Sequence, residues 1–195
     1  MGSRFALSLA NLFLGWFESV YIWGPLGCKW IPSIMYWGRY IDDIILIWTG
    51  TEQHLLEFIQ YLNSNNDNMT FVCNHSTTEI NFLDVVPFVD GNRPSSKLYR
   101  KETSCNTVLH YQSAHPRSQV RSVPFGEMVR MRRNCSRDTD FSASLLDLEY
   151  RFLDRGYDRS LIRQASNRAK KLQRSIVLAD RPKNTRVNSN TLRLV

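Results

Sequence analysis

"GRYIDDIILIWTG", residues 38–50, sets two adjacent carboxylates, Asp42 and Asp43, between apolar and aromatic runs. A charge buried in such a run without a partner costs several kcal/mol. A single strand would bury one aspartate whichever face it turned to the core, whereas a tight turn between two short strands exposes both. The stretch therefore predicts a hairpin with the acids at its tip. Paired aspartates there suit Mg²⁺, a hard ion that takes one or two protein carboxylates, several waters and substrate phosphates. With two such ions a site can activate a hydroxyl and stabilise a leaving oxygen in phosphoryl transfer. A bare D-D pair is also what a solvated loop carries, so the surrounding chain has to decide between them.

The 195 residues suffice for one ordinary core or two small subdomains. With 43% hydrophobic and 22% charged residues, wholesale disorder is excluded. Cys28, Cys73, Cys105 and Cys135 are too scattered for a disulfide scaffold, and none has C-x-x-C spacing, which argues against zinc. Reduced, mostly packed thiols of an intracellular protein, nuclear or cytoplasmic, are expected.

Charge is uneven. Residues 1–92 hold 3 Lys+Arg against 9 Asp+Glu, a net of −6, while residues 93–195 hold 22 against 9, a net of +13. The basic half suits a polyanion, with a solvated basic surface as the alternative. "MGSRFALSLANLFLGWF" imitates a signal peptide, yet Asn11 interrupts it, Glu18 closes it and no small-residue cleavage site follows. No apolar run reaches the ~18 residues of a membrane span, so no membrane partner is expected.

Phe5, Leu9, Leu12, Phe13 and Trp16 fall on one face of a helix expected to end near Glu18 to Val20. Thr51 is placed to cap a helix carrying Leu55, Leu56, Phe58, Ile59 and Leu62. "MTFVCNH" and "TEINFLDVVPFV" read as strands, and Asp90-Gly91 as a hairpin turn into "SKLYRK". Beyond residue 105 the pattern is helical. Pro116 and Pro124 each stand where a helix can start, and Phe141, Leu145, Leu148 and Phe152 form a stripe closed by Gly156. Asp158 is expected to cap one long last helix with Leu161, Ala165, Ala169, Leu172 and Ile176 inward. Arg159, Arg163, Lys170 and Arg174 line its other side, and Arg130, Arg133 and Arg137 share a face earlier.

At this point the chain resembles a known family, the reverse transcriptases, most closely those of Penelope-like retroelements. The resemblance rests on "RYIDDIILIW", the preceding "MGSRFALSLANLFLGWFE", "INFLDV", "LYRKETSCNTVLHYQSAHPRSQVRSVPFGEMVRMRRNCS" and "RFLDRGYDRSLI", in that order over about residues 1–178. It implies an α+β fold: the C-terminal part of a right-hand polymerase palm over residues 1–102, an antiparallel sheet with helices. A helical, helix-turn-helix-like thumb over 103–178 and a polar tail over 179–195 would follow. It implies that Asp42 and Asp43 are the catalytic, Mg²⁺-binding pair of the hairpin. Tyr40 would lie near the primer end, and Gly2, Ser3 and Asn11 on the helix facing template and nucleotide. Leu7 departs from the proline usual in the family.

The family's other catalytic aspartate and its fingers belong to sequence ahead of the "MGS" helix, and no G-I-Y or Y-I-G triplet marks its nuclease. The expectation is thus a truncated RNA-directed DNA polymerase, inactive alone, with weak Mg²⁺ binding and dNTP use only if complemented. Its basic thumb would hold an RNA/DNA primer–template through Arg130, Arg133, Arg137, Arg159, Arg163, Lys170 and Arg174. The alternative is a non-enzymatic nucleic-acid-binding helical protein. His110 and His115 lack neighbours at ligand spacing and read as packing or surface residues, and Asp84 reads as a residue that orients its strand.

Overall fold

The computed structural model describes residues 5–91, 93–101 and 103–179. Gly2, Ser3 and the tail from residue 180 lie outside them. The class is α+β: among the described residues there are six α-helices and two separate two-stranded antiparallel sheets. The chain divides into two compact units, residues 1–88 and 89–195, ahead of the residue-102 boundary read from the sequence. The division falls earlier because β4 (Arg93–Leu98) is tied to the helical unit. Ser96 N donates to Ser136 Oγ at 2.9 Å, and Ser136 N to Ser96 O at 2.7 Å.

In the first unit, α1 (Ala6–Phe17) runs into one π-helical turn, Glu18–Ile22. β1 (Ile34–Tyr40) and β2 (Asp43–Trp48) follow as an antiparallel hairpin, then α2 (Glu52–Asn63). Thr51 Oγ1 accepts from His54 N at 3.2 Å, the N-cap read from the sequence. The core is aromatic. Phe58 is fully buried, with ring centroids of Trp48 and Trp30 at 5.3 and 5.6 Å.

Two parts of this unit depart from simple sequence patterning. The stripe Phe5, Leu9, Leu12, Phe13 and Trp16 is exposed, and α1 instead buries Leu14 and Phe17. No charged residue lies between Ala6 and Phe17, so apolar spacing alone did not single out a face. The inward face is decided by stacking, with Phe17 4.4 Å from Tyr21 and 5.4 Å from Phe71. Residues 69–75 form no strand either. Asn63 exchanges two hydrogen bonds with the Phe71 backbone (2.6 and 3.0 Å), and Asn65 does the same for Met69 (2.8 and 3.2 Å). Side-chain amides there satisfy backbone groups that a neighbouring strand would otherwise take up.

β3 (Val85–Asp90) and β4 form the second sheet. Asp90 closes β3 and Gly91, at φ +62°, stands in the turn that the Asp90-Gly91 pair signals.

In the second unit, α3 (Arg117–Asn134), α4 (Asp138–Asp154) and α5 (Arg159–Lys170) enclose one core. Phe141, Leu145, Leu148 and Phe152 are buried in it, as their spacing foretold. Pro124 starts no helix. It lies buried inside α3, which continues through it from Arg117, the residue after Pro116. The long last helix is in fact two, α5 and the short α6 (Arg174–Leu178), and Ile176 is exposed.

Candidate nucleic-acid interface

The connection from α4 to α5 is built from residues that each have one task. Gly156 N donates to Leu153 O at 3.0 Å and Tyr157 N to Phe152 O at 3.1 Å, the two bonds of a Schellman cap. Gly156 supplies the left-handed conformation that this cap requires, at φ +78°. The Tyr157 ring then packs on Phe152, centroids 4.9 Å apart, which seals the end of α4. One residue later Asp158 Oδ1 accepts from Ser160 N at 2.8 Å and opens α5. Two helices are thereby joined at a fixed angle by the four residues 155–158. Tyr111 N braces the turn through Arg155 O at 3.0 Å, and its ring meets Tyr157 edge-on at 5.2 Å.

Residues 107–167 match the family model of the animal helix-turn-helix domain. The match spans α3, α4 and most of α5. No curated protein matches the chain, and no solved structure does. Helix-turn-helix units are characteristically nucleic-acid-binding, with the helix after the turn lying against the ligand. No described helix is long and apolar enough to cross a membrane.

The seven basic residues expected to hold nucleic acid fall into two groups. Arg159, Arg163 and Lys170 are exposed on α5, beside a groove that Glu149 and Leu153 of α4 complete. The others are engaged in structure. Arg130 lies 3.4 Å from Glu127 and Arg137 2.6 Å from Asp90. Arg137 stands at the N-cap of α4, so it does not share a helix with Arg130 and Arg133. Arg133 Nε donates to Val177 O at 2.9 Å and Arg174 Nε to Arg133 O at 3.1 Å. With Arg132 Nε to Leu172 O at 3.1 Å, these bonds fasten α6 and the segment before it to α3. The stripe expected along one helix is therefore split. Its first part is held on α5, and Arg174 is turned back to α3.

The hairpin of the other unit brings Tyr40, Asp42 and Asp43 together. Asp42 and Asp43 are exposed at the tip, and Tyr40 pairs with Asp43 across the strands. Ile41, between them, has φ +58°, a strained conformation for a β-branched residue. Arg39 braces this tip: its Nη1 donates to Ile41 O at 3.1 Å and to Asn11 Oδ1 at 2.9 Å, while its Nε meets Glu18 Oε1 at 2.7 Å. Trp37 Nε1 donates to the same Glu18 oxygen at 2.8 Å. Asn11 is thus a partner of Arg39. The sequence reading missed Arg39 and Glu18, although an arginine amid the apolar residues of β1 asks for a carboxylate.

Among the described residues, no three His, Cys, Asp or Glu side chains gather as a metal would need. The tip's two carboxylates fit an ion that arrives with waters and phosphate oxygens, and no closed protein cage surrounds them. His110 Nδ1 accepts from Gln112 N at 3.2 Å, and His115 Nδ1 lies 3.2 Å from Ser113 Oγ, both local loop contacts.

Proposed function

We propose that this chain is the palm end and thumb of a reverse transcriptase of a Penelope-like retroelement. Its helix-turn-helix unit holds nucleic acid, and the chain does not extend a primer unaided. The reading rests on one observation above the rest: two exposed carboxylates on a hairpin tip that is strained at Ile41 and braced from behind by Arg39. Strain at a braced tip is a feature of working sites more than of idle turns. In a complete polymerase, Mg²⁺ held by Asp42 and Asp43 would supply Lewis-acid activation beside the primer end. The exposed face of α1 agrees with this reading, since a fuller palm would supply the element that covers it. A place of action in nucleus or cytoplasm, and dNTP use only with a complementing polypeptide, follow from the same reading.

The test is primer extension on an RNA template by the full chain with Mg²⁺, run beside binding of the same primer–template. Binding without extension is expected, and any synthesis should vanish in Asp42→Asn. Extension that survives Asp42→Asn, or no binding of nucleic acid at physiological salt, overturns the reading.

A second reading, a nucleic-acid-binding protein with no enzymatic past in play, is favoured by a different observation: the family match is confined to the helical unit. Under it Asp42→Asn changes nothing at all, even beside a complementing polypeptide, whereas Arg163→Gln weakens binding.

A further inference from the structure

We propose that the exposed face of α1 pairs with the same face of a second copy of this chain, forming a symmetric antiparallel dimer. The inference does not rest on the polymerase reading: the face that a fuller palm would cover is the one that pairs when the chain is alone. Phe5, Leu9, Leu12 and Trp16 are spaced by four, three and four residues, the alternation of an apolar seam between packed helices. All four are exposed, on the side of α1 away from the buried Leu14 and Phe17.

The symmetry of the seam identifies its occupant. Turned end for end, the seam presents the same positions, so Phe5 of one copy meets Trp16 of the other, and Leu9 meets Leu12. Ser8 and Gly15 run beside it, and a Cβ at Gly15 would meet no atom within 4 Å, so a second helix can come close there. No charged residue lies between Ala6 and Phe17, and a partner chosen by its charge gains nothing on this face. Lipid is a poorer occupant too. Interfacial helices carry Lys and Arg on their polar side, whereas residues 1–92 have a net charge of −6. With Phe13 beside it, the seam exposes on the order of 500–600 Å² on each copy. Two such patches reach the ~1,000 Å² total that a specific interface needs and fall short of the ~1,600 Å² of a standard one, which points to association in the micromolar range. Dilute protein is therefore monomeric, with α1 open.

The test is sedimentation equilibrium of the full chain from about 1 to about 100 µM, at low and at high salt. A reversible monomer–dimer equilibrium is expected. It should strengthen with salt, because the pairing units carry like net charge and the contact is apolar. Leu12→Ser should weaken it about tenfold. Leu9→Glu and Leu12→Lys should each abolish it and keep the helix signal of the dilute wild type. Mixing those two variants should restore a dimer, since the two positions face each other across the seam. Leu146→Ser, on the exposed side of α4, should change nothing. A monomer up to about 100 µM overturns the pairing and leaves the face to another polypeptide. A dimer that dissolves at high salt overturns it in favour of acidic-to-basic contact between copies, and assembly beyond the dimer is forbidden by a closed symmetric contact. Loss of the dimer in Leu146→Ser, or of helix signal in the dilute α1 variants, also overturns it, as does a failure of mixing to restore association. Each outcome is read without primer or template, so failure here leaves nucleic-acid binding untouched.

Discussion

In the helical unit, Phe141, Leu145, Leu148 and Phe152 of α4 share one core with Val120, Met128 and Met131 of α3 and Ile162 and Ala169 of α5. In the hairpin unit, α1 turns Leu14 and Phe17 inward and leaves Phe5, Leu9, Leu12 and Trp16 at the surface. The first arrangement completes its own core; the second holds an aromatic cluster with one of its helices largely uncovered. Completeness of the core, more than its composition, separates the two units. The helical unit is therefore the part whose surface residues are available for binding, and the hairpin unit is the part whose surface asks for company.

The comparison can be tested optically because all five tryptophans, Trp16, Trp23, Trp30, Trp37 and Trp48, lie in the hairpin unit. Indole fluorescence follows that unit, and the far-ultraviolet helix signal is weighted toward the other. Phe58→Ala and Phe152→Ala should each cost about 3–5 kcal/mol in urea unfolding. The first should move the fluorescence transition and the second the helix transition; a common shift in both would break the division. Arg39→Ala should cost about 3 kcal/mol on the fluorescence transition, because it strands the largely buried Glu18 carboxylate and frees Trp37's acceptor from its brace. Leu12→Ser, at a residue 72% exposed, should stay within about 0.5 kcal/mol and lower light scattering on concentration. A core-sized loss there would mean that the face is covered.

The smallest effect is one of pH. The Arg137 guanidinium hydrogen-bonds the Asp90 carboxylate and holds its pKa below the usual range. A lowered folded pKa means that the stabilisation is complete above the ordinary value of about 3.9 and fades as pH falls through the lowered one. Asp90→Asn should therefore lower the helix transition slightly at neutral pH, leave it unchanged below the lowered pKa, and so flatten the acid limb.

Which elements were legible follows from what separates their faces. On α4, acids and arginines mark the outer side, so the apolar stripe could point only one way. On α1 no charge breaks the run, and stacking around Phe17 made the choice. The hairpin and its acidic tip were readable because exposing two charges admits few geometries; its brace was not, since Arg39, Glu18 and Asn11 meet only after folding. The arginine stripe failed at a similar point. Spacing says which residues share a helix only if the helix is continuous, and the helix breaks between Lys170 and Arg174. The exposed side of α5 was visible as Arg159, Arg163 and Lys170, while the seam of α1 gained its meaning only when Leu14 and Phe17 were known to face the other way.

The bonds that fasten α6 run from guanidinium groups to neutral carbonyls, so Arg133 and Arg174 give up no charge in making them. They act as fasteners and as sources of field at once, drawing a polyanion inward before any contact forms. Glutamine in their place would slow association and loosen the helix together. Lysine would keep the attraction and lose only the planar donor that holds α6 in place.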